Sequence, residues 1–353
     1  MRERAFDPKM VESILFIRLY FIGDVLMSTP VLDALKRTFP DAKITALIKR
    51  RARGVLVNNP NVDELIEYDG VERYHGPVWV ARLAARLRSE RFGLAVDLTG
   101  DLRSSWLLFA ADPGFRVGFN HAGMGFLLDR RIPYRTSGHG VDHLLSAVAP
   151  IGATTDDPSP RMWLTDGELA DADEFLSRVG MGGGRRFVCM APGANWQWRR
   201  WPADRFGALA RMLEERLGLR SVVTGASGEE ALAERVVAGS HGAAVSLAGA
   251  GDIRNLAAIA TRASVFVAND SGPLHVAASR GTPVVGLFGP NTPGVFAPRG
   301  APSRLIWKRY PCSPCDQKTC ERESDPCMES ISVDEVFEAV RSLLEEVSEG
   351  GAR

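Results

Sequence analysis

The chain has 353 residues, 45% apolar and 24% charged, and its 43 Lys and Arg are balanced by 43 Asp and Glu. That length exceeds what one hydrophobic core usually organises, so two domains are expected. A net charge of zero gives no support for a nucleic-acid partner, no apolar run reaches the length of a membrane-spanning helix, and the polar start MRERAFDPKM is not a signal peptide. The expected location is the cytoplasm, with room for a peripheral seat on the inner face of the cytoplasmic membrane. Residues 1–150 carry 21 Lys and Arg against 17 Asp and Glu. That modest excess permits a weakly basic face toward a phosphorylated acceptor or an anionic membrane surface.

The apolar run Ser13–Leu19 predicts a strand, Tyr20–Asp24 its exit loop, and Val25–Phe39 a helix with Leu26, Leu32, Leu35 and Phe39 on its apolar side. Lys43–Ile48 and Val62–Glu67 read as strands, Val78–Arg91 as a helix, Phe92–Leu98 as a fourth strand and Phe115–Gly118 as a further short one. Strands alternating with helices mean a parallel, doubly wound sheet. No Gly-x-Gly-x-x-Gly follows the first strand, so a dinucleotide-binding motif is unsupported. A Gly23-Asp24 pair stands there instead. A carboxylate at that edge either takes a proton from a hydroxyl or only caps the next helix.

Lys49, Arg50, Arg51 and Arg53 follow the second strand at the same edge, where they either grip a phosphorylated acceptor or form a solvated face. Gly100–Arg103 follows the fourth strand, which makes Asp101 and Arg103 further candidates; Arg130, Arg131 and Arg135 are similar. His121, His139 and His143 lack metal-site spacing and read as structural or surface residues.

Ile151–Pro160 (IGATTDDPSP) has the composition of an interdomain connection and divides the chain into residues 1–160 and 161–353. Beyond it, Asp166–Val179 is helical, Arg186–Met190 a strand, and APGANWQWRRWP its exit turn. Asn195 lies in that turn, and Arg199 or Arg200 brings a guanidinium able to pair two phosphate oxygens. Trp196, Trp198 and Trp201 admit the blander reading of an apolar lid edge with solvated arginines. Leu219–Thr224 is a strand running into Gly225–Glu229, and Val245–Ala248 a short strand before the turn to a helix near Asp252.

Ser264–Ala268 is next a buried-strand sequence, Asn269–Gly272 a polar turn, Leu274–Ser279 a helix and Pro283–Phe288 a strand. A polar turn at the C-terminal end of a strand is where α/β sheets bind ligands, and a helix start at Ser271–Gly272 offers backbone N–H groups to a diphosphate. Asp270 or Ser271 equally suits an N-cap. Arg304–Trp307 reads as a last strand and Val333–Val347 as an amphipathic helix.

Four of five cysteines fall in Cys312-x2-Cys315-x4-Cys320-x6-Cys327. A cytoplasmic chain does not rely on disulfides, so a structural tetrathiolate zinc site is one reading; free or occasionally oxidised thiols and a redox function are the others. Cys189, inside a strand, reads as core.

IRLYFIGDVLMSTPVLDALKRTFPDAKI near the start, WRRWP in the middle and NDSGPLH…GTPVVGLFGP near the end together resemble the signatures of glycosyltransferase family 9, the lipopolysaccharide core heptosyltransferases. The resemblance spans nearly the whole chain. It implies the GT-B architecture, α/β with two Rossmann-like parallel-sheet domains facing a cleft, the first holding the acceptor and the second the donor. It implies an inverting, metal-independent transfer, with Asp24 as the base. The family's basic residue before x-Trp-Pro falls on Arg199, where Lys is more usual. The donor, by default ADP-heptose, is then met by Asn195, Arg199, Gly225, Ser227, Glu229, Asp270, Ser271, Gly272, Pro273, Leu274 and His275. The acceptor, a lipid-linked saccharide, is met by Gly23, Lys49, Arg50, Arg51 and Arg103. Some members carry similar cysteine-rich tails, which points to a structural role. A UDP- or GDP-sugar transferase, a nucleotide-sugar 2-epimerase and a silent nucleotide-sugar-binding protein are the alternatives.

Overall fold

In the computed structural model the described residues are 5–68, 77–120, 125–134 and 138–350. The chain divides into two compact units, Met1–Trp163 and Leu164–Arg353. The first is built on six strands: β1 (Ser13–Arg18), β2 (Lys43–Lys49), β3 (Glu64–Tyr68), β4 (Leu94–Asp97), β5 (Phe115–Phe119) and β6 (Arg130–Ile132). They pair in parallel in the order β3-β2-β1-β4-β5-β6. The second unit has β7 (Phe187–Ala191), β8 (Arg220–Val223), β9 (Ala244–Ser246), β10 (Val265–Asn269), β11 (Val284–Phe288) and β12 (Ser303–Trp307), in the order β12-β11-β10-β7-β8-β9.

Each unit therefore repeats the doubly wound order 3-2-1-4-5-6. Strand order reverses between β1 and β4 in the first unit and between β7 and β10 in the second, and such switch points are where open α/β sheets bind ligands. The central strands β1, β4, β7, β10 and β11 are buried almost throughout, the pattern of parallel strands with helices covering both faces. In the second unit the alternation along the strands sorts the core into two layers. Val188, Met190, Val265 and Val267 pack with Trp201, Phe206, Leu209 and the C-terminal helix's Val336, Phe337 and Val340. Phe187, Cys189, Phe266 and Ala268 pack on the other face with Ala172, Leu176, Leu274 and Ala277. Cys189 is core, and burial pushes its thiol up to about 12.

Several features depart from the sequence reading. The helix expected over Val25–Phe39 is two helices, Ile22–Met27 and Thr29–Thr38. Pro30 has no N–H to continue the first ladder, and hydroxyls supplement the backbone donors at the junction: Ser28 Oγ donates to Val25 O at 2.6 Å and Thr29 Oγ1 to Leu26 O at 2.9 Å. The first helix begins at Ile22, so Gly23 and Asp24 lie in its first turn and not in a loop. The sequence reading also missed β6 and the helices Leu102–Ala111, Gly140–Ser146 and Ala203–Leu217. β6 has only three residues, two of them arginine, and forms because β5 offers an edge, which no local pattern records. Among the described residues no helix is long and apolar enough to cross a membrane.

Candidate active site

At the first unit's switch point, Arg18 ends β1 and Asp24 lies one short turn later. Arg18 Nη2 stands 3.6 Å from Asp24 Oδ1, and Arg18 Nε donates to the Asp24 carbonyl at 3.4 Å. The Arg18 side chain is 10% exposed and that of Asp24 30%, so the ion pair is rooted in the core and the carboxylate opens outward. Nη1 of Arg18 donates to Leu98 O on the β4 side, and the guanidinium lies 4.6 Å from the Tyr20 ring centroid. Burial pulls the Arg18 pKa down against the attraction of Asp24. The β4 exit holds a second carboxylate, Asp97, which the sequence reading missed. Its Oδ1 accepts from Thr99 N at 2.8 Å and Gly100 N at 3.1 Å, and its Oδ2 from Ser104 Oγ at 2.7 Å. Despite these donors, burial raises its pKa to about 6.

The basic cluster is placed more narrowly than expected. Lys49 Nζ and Arg51 sit over the half-exposed Phe21 ring at 5.6 and 5.1 Å, beside the turn that carries Gly23 and Asp24. Arg50 and Arg53 instead share Glu67, at 3.2 and 2.9 Å. Arg103 is tied to Asp101 at 2.5 Å, and Asp101 caps the Leu102–Ala111 helix, so both have structural work. His143 stacks on Phe119 at 4.2 Å between ring centroids, consistent with a structural histidine. Arg135 and His121 lie outside the described residues.

At the second unit's switch point, two loops meet. Asn269, the last residue of β10 and fully buried, accepts from Trp201 N through Oδ1 at 2.9 Å and donates from Nδ2 to Pro192 O at 2.8 Å. It thereby ties the β7 exit to the β10 exit. Trp201 is itself fully buried and donates from Nε1 to Ile331 O at 2.9 Å. It is core, and of the three tryptophans weighed as a lid edge Trp196 stands out at 44% exposure.

Arg199, at the end of the short 3-10 turn Gln197–Arg199, reaches Asp270: Nη1 donates to the Asp270 carbonyl at 3.3 Å and lies 3.6 Å from Oδ2. Burial raises the Asp270 pKa, with Arg199 and Asn291 opposing it. Arg200 takes a different role, donating to Ala194 O at 2.9 Å.

The helix Gly272–Ser279 starts directly after Asp270 and Ser271. Its N-cap residue is Ser271, yet no side chain caps it: Ser271 Oγ donates backward to Asn269 O at 3.2 Å, and Asp270 Oδ2 is turned to Asn291. The capping alternative is thereby corrected, and the positive end of the helix dipole is left for an outside anion. Pro273 sits in the first turn, His275 is 7% exposed, and Leu274 is fully buried in the core, so its side chain does not wall a site. Glu229 gathers the neighbouring turns. Its Oε2 accepts from Ala226 N at 2.9 Å, and a Cβ on Gly193 would fall 2.2 Å from its Oε1. One on Gly225 would meet Glu229 Cβ at 3.2 Å. Ser227 and Asn195 are exposed on their turns.

Cys312, Cys315, Cys320 and Cys327 line one cavity of about 310 Å³ with Trp198 and Arg322. Among the described residues, however, no group of three or more His, Cys, Asp or Glu side chains is assembled to hold a metal. Burial raises the Cys327 thiol to about 11, and the neighbouring Cys315, Cys320 and Cys312 add to that rise. The expected zinc site is therefore not supported. What the segment does contribute is Gln317, which accepts from Arg199 Nε. Nothing in the local sequence signals that contact; Asn291, just past the apolar β11, is a polar residue at a strand exit and was findable.

The family model described as glycosyltransferase family 9 (heptosyltransferase) matches residues 80–324. The lipopolysaccharide core heptosyltransferase OpsX of Haemophilus influenzae is 24% identical over 292 residues, covering 81% of this chain and 82% of its own. A family 9 glycosyl transferase from Veillonella parvula has a TM-score of 0.85 at 25% identity, over 95% of this chain and 97% of its own. The ADP-heptose LPS heptosyltransferase II of E. coli has a TM-score of 0.77 at 22% identity, over 95% and 99%.

Proposed function

This chain belongs to glycosyltransferase family 9 and is a glycosyltransferase, and we propose that it moves a heptose from ADP-heptose to a lipopolysaccharide core or related glycolipid, with inversion and without a divalent ion. The name of the E. coli ADP-heptose LPS heptosyltransferase II supports this donor, and that of OpsX supports the acceptor. The observation that carries the reading is the uncapped start of the Gly272–Ser279 helix, with Arg199 held beside it by Asp270. A helix start and a guanidinium together make a diphosphate site.

In this reading Asp24 takes the proton of the acceptor hydroxyl. The resulting oxygen attacks the anomeric carbon from the face opposite the nucleotide, and the bond to the diphosphate oxygen breaks with its electron pair leaving on ADP. Arg199 and the helix start meet that growing charge. Lys49 and Arg51, next to the Asp24 turn, are placed for anionic groups of the acceptor. Leu102, Trp106 and Phe109 form an exposed apolar stripe on one helix face, at 64%, 43% and 61% exposure, which supports a peripheral seat on the lipid that carries the acceptor.

The test is a thermal-shift series with ADP, ADP-heptose and UDP- and GDP-sugars, each with and without EDTA, followed by turnover of Asp24→Asn. Stabilisation by ADP compounds that survives EDTA supports the donor; a preference for UDP or GDP overturns it. Asp24→Asn should lower turnover by roughly 10²- to 10⁴-fold, the usual worth of a positioned base, with ADP affinity unchanged. Wild-type turnover in that variant removes Asp24 from the role.

A further inference from the structure

Gln317 closes a ring of four side chains. Its Oε1 accepts from Arg199 Nε, and its Nε2 donates to Asn291 Oδ1 at 2.6 Å. Asn291 Nδ2 donates to Asp270 Oδ2 at 2.5 Å, and Asp270 Oδ2 returns to Arg199 Nη1 at 3.6 Å. Gln317, Asn291 and Asp270 are buried, at 8%, 6% and 4% exposure. The ring has a single sense. A guanidinium only donates and a carboxylate only accepts, so the two amides between them have one orientation that pairs a donor with an acceptor at every contact of the ring. Arg199 is thereby held at two nitrogens, Nε and Nη1, which fixes the plane of its guanidinium.

Gln317 is an unusual residue for such a place. It lies in the cysteine-rich segment after β12, far in sequence from Arg199, and its φ of 65° puts a non-glycine residue in the left-handed region. The segment is fastened where it needs to be: Ser313 Oγ donates to Gly289 O at 2.8 Å, and Cys315 N to Pro290 O at 3.2 Å. Gln317 Nε2 also reaches Cys315 O at 3.3 Å. The segment thus docks on the β11 exit, Gly289–Asn291, and delivers one amide between Arg199 and Asn291.

We propose that Gln317 is a positioning residue for the nucleoside-diphosphate site, setting Arg199 and Asp270 in the orientation that receives the diphosphate and the sugar. The cysteine-rich segment is then part of the donor site. This rests on the donor reading above.

The test uses the full chain with two variants, Gln317→Met, which keeps the volume and removes the polar ends, and Gln317→Ala. ADP affinity is measured by calorimetry, and donor and acceptor KM and kcat are measured separately. Loss of a hydrogen bond to a charged group predicts about tenfold weaker ADP binding and a similar fall in kcat/KM for the donor in both variants, with acceptor KM unmoved. Wild-type constants in Gln317→Met overturn the proposal. So does a loss in which donor and acceptor constants and the melting temperature fall together, since that marks general loosening. If the wild-type protein binds no ADP compound, the donor reading fails and this inference with it; if it binds ADP and Gln317→Met binds equally well, only this inference fails.

Discussion

Arg18 holds Asp24 by both its side chain and its main chain: Nη2 is 3.6 Å from the carboxylate and Nε donates to the carbonyl at 3.4 Å. A third contact, from Nη1 to Leu98 O, anchors the same guanidinium to the β4 exit. The carboxylate proposed as the base is thus located by a rigid fork that spans two neighbouring strands. Lys keeps the charge but offers one point in place of three directions. Arg18→Lys should therefore lower kcat by about 10²-fold, the scale of an ångström-level misplacement, with ADP affinity unchanged. Steady-state kinetics with separate donor titration checks this, and a wild-type kcat would show that the fork does not position the base.

Asp97 gives a pH dependence of stability with a definite sign. Its folded pKa of about 6 lies above the ordinary carboxylate value because burial outweighs the donors from Thr99, Gly100 and Ser104. The folded state therefore binds more protons than the unfolded one between about pH 4 and 6. Its contribution is present below the unfolded pKa and is lost as pH rises through 6, by about 3 kcal/mol in all. Asp97→Asn can keep all three contacts, since an amide oxygen accepts from the two N–H groups and the amide nitrogen donates to Ser104 Oγ. Chemical denaturation should find Asp97→Asn gaining on the wild type as pH goes from 4 to 7. A constant difference across that range would refute the shift.

Asn269 is a structural knot at the second unit's switch point, within the proposed donor site. Replacing it with Leu keeps the volume but leaves the Trp201 N–H and the Pro192 carbonyl without their partner in the buried interior. At about 1–3 kcal/mol for each of the two buried groups stranded, the loss should be roughly 2–6 kcal/mol. Urea unfolding measures it. ADP binding should weaken as well, because the β7 and β10 exits would no longer be tied together.

Much of this was legible in the chain. The alternation of apolar strands with amphipathic helices specified two parallel α/β units, because strands covered on both faces must be apolar throughout. The polar turns at Gly23-Asp24 and Asn269–Gly272 marked strand exits, where such sheets bind ligands, and the ordered motifs pointed to the family. Local pattern also misled. Val25–Phe39 looks like one helix until Pro30 breaks it.

Tertiary structure decided the rest, because it depends on which strand exits become neighbours. Strand order placed β1 beside β4 and β7 beside β10, and so brought Asp97 near Arg18 and Asn269 between Pro192 and Trp201. It also buried Trp201, for which the sequence alone left a lid edge open as an alternative. Gln317 is the extreme case: 118 residues separate it from Arg199, and its contact exists only because the segment after β12 docks on the β11 exit. Periodicity determines which face of an element is buried; it carries no information on which distant polar atom will complete a hydrogen-bond ring.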